Sequence, residues 1–123
     1  MIKKLEINGV HMTVGDDLRK YVHKKIGGLE KYVPKHARKS VHVEVKLKES
    51  KVKSRDERTC EVILHLPNEV IAVTETTTNI FAAIDIVEEK LKKLLHKYKE
   101  THASPRLRHR LLSRLKRQSL LAR

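Results

Sequence analysis

The 123-residue chain carries 28 Lys and Arg against 15 Asp and Glu, a net charge of +13, with one Phe, three Tyr and no Trp. That balance points to polyanionic partners, nucleic acid or an anionic membrane surface, while the few aromatics exclude base stacking as the main binding mode and leave the core to aliphatic side chains. The single cysteine, Cys60, excludes an internal disulfide and a cysteine-rich zinc module, and the length suits one domain with an appendage.

The chain begins with a short β-prone run holding Ile2, Leu5 and Ile7, expected to close at the turn signal Asn8-Gly9. It turns polar too early for a signal peptide. No apolar run reaches the ~18 residues that span a bilayer, so a reduced, cytoplasmic protein is expected. Next, Val14, Leu18, Tyr21, Val22, Ile26, Leu29 and Tyr32 fall within about 140° of arc at ~100° per residue, which predicts a helix. Gly15 or Thr13 can cap it, and Asp16 and Asp17 suit the positive end of its dipole. Gly27-Gly28 costs roughly 1 kcal/mol per glycine relative to Ala and loosens the last turn, and Pro34 ends it.

Strict alternation then puts Val41, Val43, Val45 and Leu47 on one face and His42, Glu44, Lys46 and Lys48 on the other, a half-buried strand. The run KVKSRDER reads as a charged connector. Alternation resumes with Cys60, Val62, Leu64 and Leu66, Pro67-Asn68 makes a tight turn, and EVIAVTET supplies a last strand whose inner face the pattern leaves open. The second helix is the clearest element. Ile80, Ala83, Ile84, Val87, Leu91, Leu94, Leu95 and Tyr98 share an arc of about 120°. Thr78 or Asn79 caps it, with acids early and lysines late, as the dipole prefers. The order β-α-β-β-β-α gives an α+β domain over residues 1–100. Its first two strands are joined by a right-handed parallel crossover, in a four-stranded mixed sheet with both helices packed on one face. Residues 101–123 form a separate basic tail.

Lys20, Lys24 and Lys31 lie within about 40° of one another opposite the apolar arc of the first helix, and Lys90, Lys93 and Lys97 do the same on the last. Side by side, the two stripes are expected to merge into a basic plate suited to rows of phosphates. They equally resemble the solvated outer face of any helix. Chemistry finds no foothold: the histidines lack the i, i+4 spacing of a helical metal site, no glycine-rich phosphate loop is present, and Cys60 alternates with core residues. No enzyme activity, cofactor, metal or small-molecule substrate is expected. In the tail, which carries seven basic and no acidic residues, Ser104-Pro105 resembles a helix start. Wound as a helix, it would gather Leu107, Leu111, Leu112, Leu115 and Leu121 opposite Arg106, Arg110, Lys116 and Arg117, with Arg108 and Leu120 breaking the pattern. An interfacial membrane helix or a segment for a partner's groove is open to it. The economical reading is an arm, disordered when free, whose Arg106, Arg108, Arg110, Arg114, Lys116 and Arg117 contact RNA.

Residues 2–99 resemble the ribosome hibernation-promoting factors, also called ribosome-associated inhibitors, ribosomal subunit interface proteins or sigma-54 modulation proteins. The stretches that carry the resemblance are EINGVHMTVGDDLRKYVHKKIGGLEKY, CEVILHL and above all NIFAAIDIVEEKLKKLLHKYK, with Ala83, Ile84, Asp85, Lys90, Leu91, Leu95, Lys97 and Lys99 at family positions. The resemblance implies the same fold, similar to a double-stranded RNA-binding domain with an extra first strand. It further implies a short-form monomer that binds the small ribosomal subunit at the mRNA and tRNA channel. There it would silence and protect ribosomes under stress or in stationary phase by steric occlusion. Arg19, Lys20, Lys24, Lys25, Lys31, Lys90, Lys93, Lys97 and Lys99 would then contact rRNA; Lys20, Lys24 and Lys31 come from the helical spacing. Gly28 and Phe81 stand where relatives often carry Lys and Tyr. Nothing after Lys99 is long enough for the second domain of long members. Two further readings remain: a regulatory module whose tail docks on a partner protein, and a general double-stranded RNA binder.

Overall fold

Strand β2 (His42–Val52) and strand β3 (Arg55–Leu66) form the centre of the sheet because their alternating side chains give each strand one apolar face. In this computed structural model, which describes residues 2–52 and 55–102, the two strands are antiparallel, with Val43 opposite Leu64, Val45 opposite Val62 and Leu47 opposite Cys60. All six of these side chains are buried. Strand β1 (Leu5–Val10) joins β2 in parallel, and β4 (Glu69–Thr77) joins β3 antiparallel, giving the order β1-β2-β3-β4. The register also settles the inner face of β4: Val73 pairs with Val62 and Ile71 with Leu64, and both are buried.

Two helices cover that apolar face. Helix α1 (Asp16–Lys25) starts after Gly15 and contributes Leu18 and Val22, followed by Ile26 at its end. The expected helix to Tyr32 is shorter than its apolar spacing suggests. The α-helix stops before Gly27-Gly28, and Gly27–Tyr32 continues as a 3₁₀ turn that still buries Leu29. Two adjacent glycines weaken the α-helix, whereas a 3₁₀ turn continues through them and keeps Leu29 and Val33 against the core. Helix α2 (Ile80–His102) is capped by Asn79, whose Oδ1 accepts the Phe81 backbone N–H at 2.9 Å. It buries Ala83, Ile84, Val87, Leu91, Leu95 and Tyr98 against β3 and β4. The Tyr98 hydroxyl donates to the Pro67 carbonyl at 2.9 Å, fastening the far end of α2 to the β3–β4 turn, where Asn68 has φ 66°. No described helix is long and apolar enough to cross a membrane.

Two further sequence expectations need correction. Most of the charged run read as a connector is strand: residues 51–52 extend β2 and 55–58 begin β3, with Lys51 opposite Asp56 and Glu49 opposite Arg58. And β1 does not close at Asn8-Gly9 but runs to Val10, with positive φ (57°) at His11 instead. Gly9 answers a different need. A Cβ there would sit 2.5 Å from the Met12 carbonyl oxygen, so the returning chain requires glycine by close approach. Thr101 and His102, expected in the tail, still belong to α2; residues 103–123, with the candidate RNA contacts of the tail, lie outside the described residues.

Candidate nucleic-acid interface

Burying Leu18, Val22 and Ile26 determines where the rest of α1 points. At about 100° per residue, Lys20 and Lys24 emerge opposite the core, and both are exposed, as is Arg19. Lys31 is exposed on the 3₁₀ turn, its Nζ 5.3 Å from the Tyr32 ring centroid. Lys25 is placed differently. One position beyond Lys24, it swings toward α2, where its Nζ lies 3.7 Å from Asp85 Oδ1 and 3.9 Å from Glu88 Oε1.

The lysines of α2 fan out over three directions. Lys93 points away from the core and is exposed. Lys90 lies toward β4 and pairs with Glu75. Lys97 shares that flank and lines a shallow cleft with Glu69, Ile71, Leu94 and Thr101. Half-buried Lys99 falls on the opposite flank, seven residues on from Lys92, which reaches the 3₁₀ turn with its Nζ 5.8 Å from the Tyr32 ring.

The two lysine stripes therefore do not merge. Between them runs a seam of acids and rings. The Tyr21 hydroxyl donates to Asp85, and its ring meets Phe81 edge-on at 5.0 Å. Lys92 reaches Glu88 at 3.7 Å and Glu89 at 3.2 Å. In the seam Asp85, Glu88 and Glu89 face Lys25 and Lys92, one negative charge in excess. The hydrogen bond to Asp85, then burial and the nearby carboxylate charges, push the Tyr21 pKa up to about 12. The bond to Glu89 likewise raises that of Lys92. Helical spacing shows which residues face outward, but not how two helices are rotated against each other. The acids at 85, 88 and 89 on one flank of α2 were the sequence signal for the seam.

Elsewhere the chemistry is sparse. The Cys60 thiol is buried, which with the charge of Glu61 pushes its pKa up to about 12, so it stays a protonated core group at neutral pH. On the uncovered sheet face His42 and His65 stack at 4.2 Å, and His65 Nε2 lies 3.3 Å from Glu44 Oε2. Among the described residues no three His, Cys, Asp or Glu side chains are grouped to hold a metal ion.

The domain is thus a four-stranded mixed sheet with two helices on one face, carrying separate rows of exposed lysine. The family model for sigma 54 modulation protein / S30EA ribosomal protein matches residues 5–103. The chain belongs to this family. The match takes in every described strand and both helices of the S30EA-type domain. A ribosome hibernation promotion factor of Staphylococcus aureus (strain COL) is 32% identical over 96 residues, which are 78% of this chain and 48% of that protein. The chain thus spans about half the length of that curated relative. Two solved structures share the fold. The Protein Y N-terminal domain of Thermus thermophilus has a TM-score of 0.59 at 22% identity, over 76% of this chain and 94% of that one. A ribosomal subunit interface protein from Coxiella burnetii gives 0.62 at 18% identity, over 78% and 97%.

Proposed function

We propose that this S30EA-family domain binds the small ribosomal subunit through rRNA phosphates, occupies the mRNA and tRNA channel, and holds the ribosome inactive under stress or in stationary phase. The family and the names of its relatives support a ribosomal role. The observation that carries the contact is the set Lys20, Lys24, Lys93 and Lys97, exposed on outward helix surfaces and without a carboxylate partner among the described residues. Unpaired surface amines release counterions from a phosphate backbone without first breaking an ion pair. The protein acts as a cytoplasmic, monomeric plug: blocking a channel requires no bond to be made or broken. Arg19 and Lys31 border the outward amines of α1, Lys99 adds a charge on the other flank of α2, and Arg106, Arg108, Arg110, Arg114, Lys116 and Arg117 of the tail extend the same charge.

The test is inhibition of mRNA-programmed translation in a purified system by wild type and by K20Q/K24Q/K93Q/K97Q. Wild type should inhibit and the quadruple variant should not. Equal inhibition by the variant, at a matched thermal midpoint, would contradict the assignment of these lysines.

A further inference from the structure

The row of outward amines on α1 continues beyond the helix. After the 3₁₀ turn the chain folds back through Lys35–Ala37 and presents Arg38 and Lys39 beside Lys3 and Lys4, which lead into β1. These four residues, with Glu30 and Val41, line a cleft of about 390 Å³ at the end of the sheet. Lys3 and Lys4 also line a second hollow of about 530 Å³ that opens onto Glu6, His42 and Glu44. The first cleft is cationic: four positive side chains face one carboxylate, and no ion pair among the described residues neutralises Lys3, Lys4, Arg38 or Lys39.

Its walls are tied down. The Ile2 N–H donates to the Gly27 carbonyl at 3.1 Å, and the Val43 N–H to the Lys4 carbonyl at 2.9 Å, so the segment carrying Lys3 and Lys4 is held on both sides. Arg38 Nε donates to the Val33 carbonyl at 2.9 Å and its Nη2 to the Lys31 carbonyl at 3.4 Å. Those are backbone acceptors, so the guanidinium keeps its full charge while joining the cleft to the turn that bears Lys31. With the backbone beneath Lys3 and Lys4 and the Arg38 side chain already held, unneutralised donors are gathered at one cleft, and less chain freedom is lost when phosphate oxygens bind.

We propose that the Lys3–Lys4–Arg38–Lys39 cleft is a second RNA-backbone site. From Lys20 and Lys24 the bound RNA backbone continues past Lys31 and around the end of the sheet rather than across the acidic seam, so that Lys93 and Lys97 on α2 meet a separate stretch of rRNA. The inference rests on the rRNA-binding reading above and gives it a direction. Fixed carboxylates repel phosphates, and the seam places its excess negative charge across the direct route between the helices, whereas the route through Lys31 meets cations.

The experiment compares K3Q/K4Q/K39Q with K46Q/K48Q/K51Q, which removes the same net charge from exposed positions on β2, the latter as control. Arg38 is left intact because it braces the turn. Binding to small ribosomal subunits and to a plain RNA duplex is measured over a salt series, with thermal melts confirming that both variants fold. The cleft variant should lose about ten-fold in affinity for the subunit. Its log K against log salt slope should fall by about 0.9 for each duplex-like phosphate contact removed, while the control should stay within about two-fold of wild type. Equal losses from both variants would show a net-charge effect and overturn the cleft. Wild-type-like binding by the cleft variant would overturn it while leaving the ribosomal reading standing. If wild type binds the duplex with the cleft dependence but not the subunit, the ribosomal reading fails and the cleft survives. Binding to neither overturns both.

Discussion

Replacing Asp85 with Asn should move stability and RNA affinity in opposite directions. Asp85 accepts the Tyr21 hydroxyl and lies 3.7 Å from Lys25 Nζ, its side chain 49% exposed and that of Lys25 30% exposed. An exposed ion pair contributes about 0.2–1 kcal/mol. A hydrogen bond to a charged acceptor contributes ~1.5–3 kcal/mol, a range that solvent lowers here, and Asn can still accept it in weakened form. The expected loss is about 0.5–1 kcal/mol, read as a fall in Tm of roughly 2–8 °C for a domain of this size. For RNA the sign reverses, because the seam's one excess negative charge disappears. A unit charge about 10 Å from a phosphate in water is worth ~0.4 kcal/mol, so binding at low salt should tighten about two-fold and the gain should shrink as salt is added. Paired thermal melts and salt-dependent titrations with small subunits measure both effects. A two-fold or greater weakening of binding would refute the reasoning: it would mean that Asp85 helps by holding Lys25 toward the RNA rather than by repelling it.

Tyr21 gives the same seam a pH signature. Its folded pKa, raised by the bond to Asp85 to about 12, lies above the unfolded value of 10.0. Between those values the folded state keeps a proton the unfolded state has lost, so its contribution to stability is complete below pH 10 and fades as pH rises toward 12; Y21F should flatten that part of a stability profile. Gly9→Ala would press a methyl group to within 2.5 Å of the Met12 carbonyl oxygen unless the chain shifts, and should cost about 1–3 kcal/mol in denaturant unfolding; an unchanged midpoint would show that the loop yields freely. Cys60 should resist alkylation in the folded protein and react at the rate of unfolding, and rapid labelling under native conditions would contradict its burial.

The sheet was readable where burial is one-sided. Val41 to Leu47 and Cys60 to Leu66 alternate because one face meets helices and the other water, and those residues are the buried ones. The hairpin end was not readable for the same reason: at residues 55–58 none of the described side chains is buried, so the strand carries no alternating signal and resembled a connector. Asn8-Gly9 misled because glycine marks both turns and close backbone approaches, and only the fold distinguishes them. For the candidate interface, spacing correctly placed Lys20, Lys24 and Lys93 outward. It could not show that Lys25 turns into the seam, that Lys90 reaches Glu75, or that residues as distant in sequence as Lys4 and Lys39 line one cleft. Those facts depend on helix rotation and on the path of the turn, neither of which a single element's periodicity contains.

The central claim is that the domain associates with the small ribosomal subunit through phosphate contacts. Sucrose-gradient sedimentation of the purified protein with separated subunits and whole ribosomes, at low and high salt, tests it most directly. The expected result is co-migration with small subunits and whole ribosomes at low salt, fading at high salt and displaced by mRNA. Protein that remains at the top of the gradient at both salts would contradict the claim.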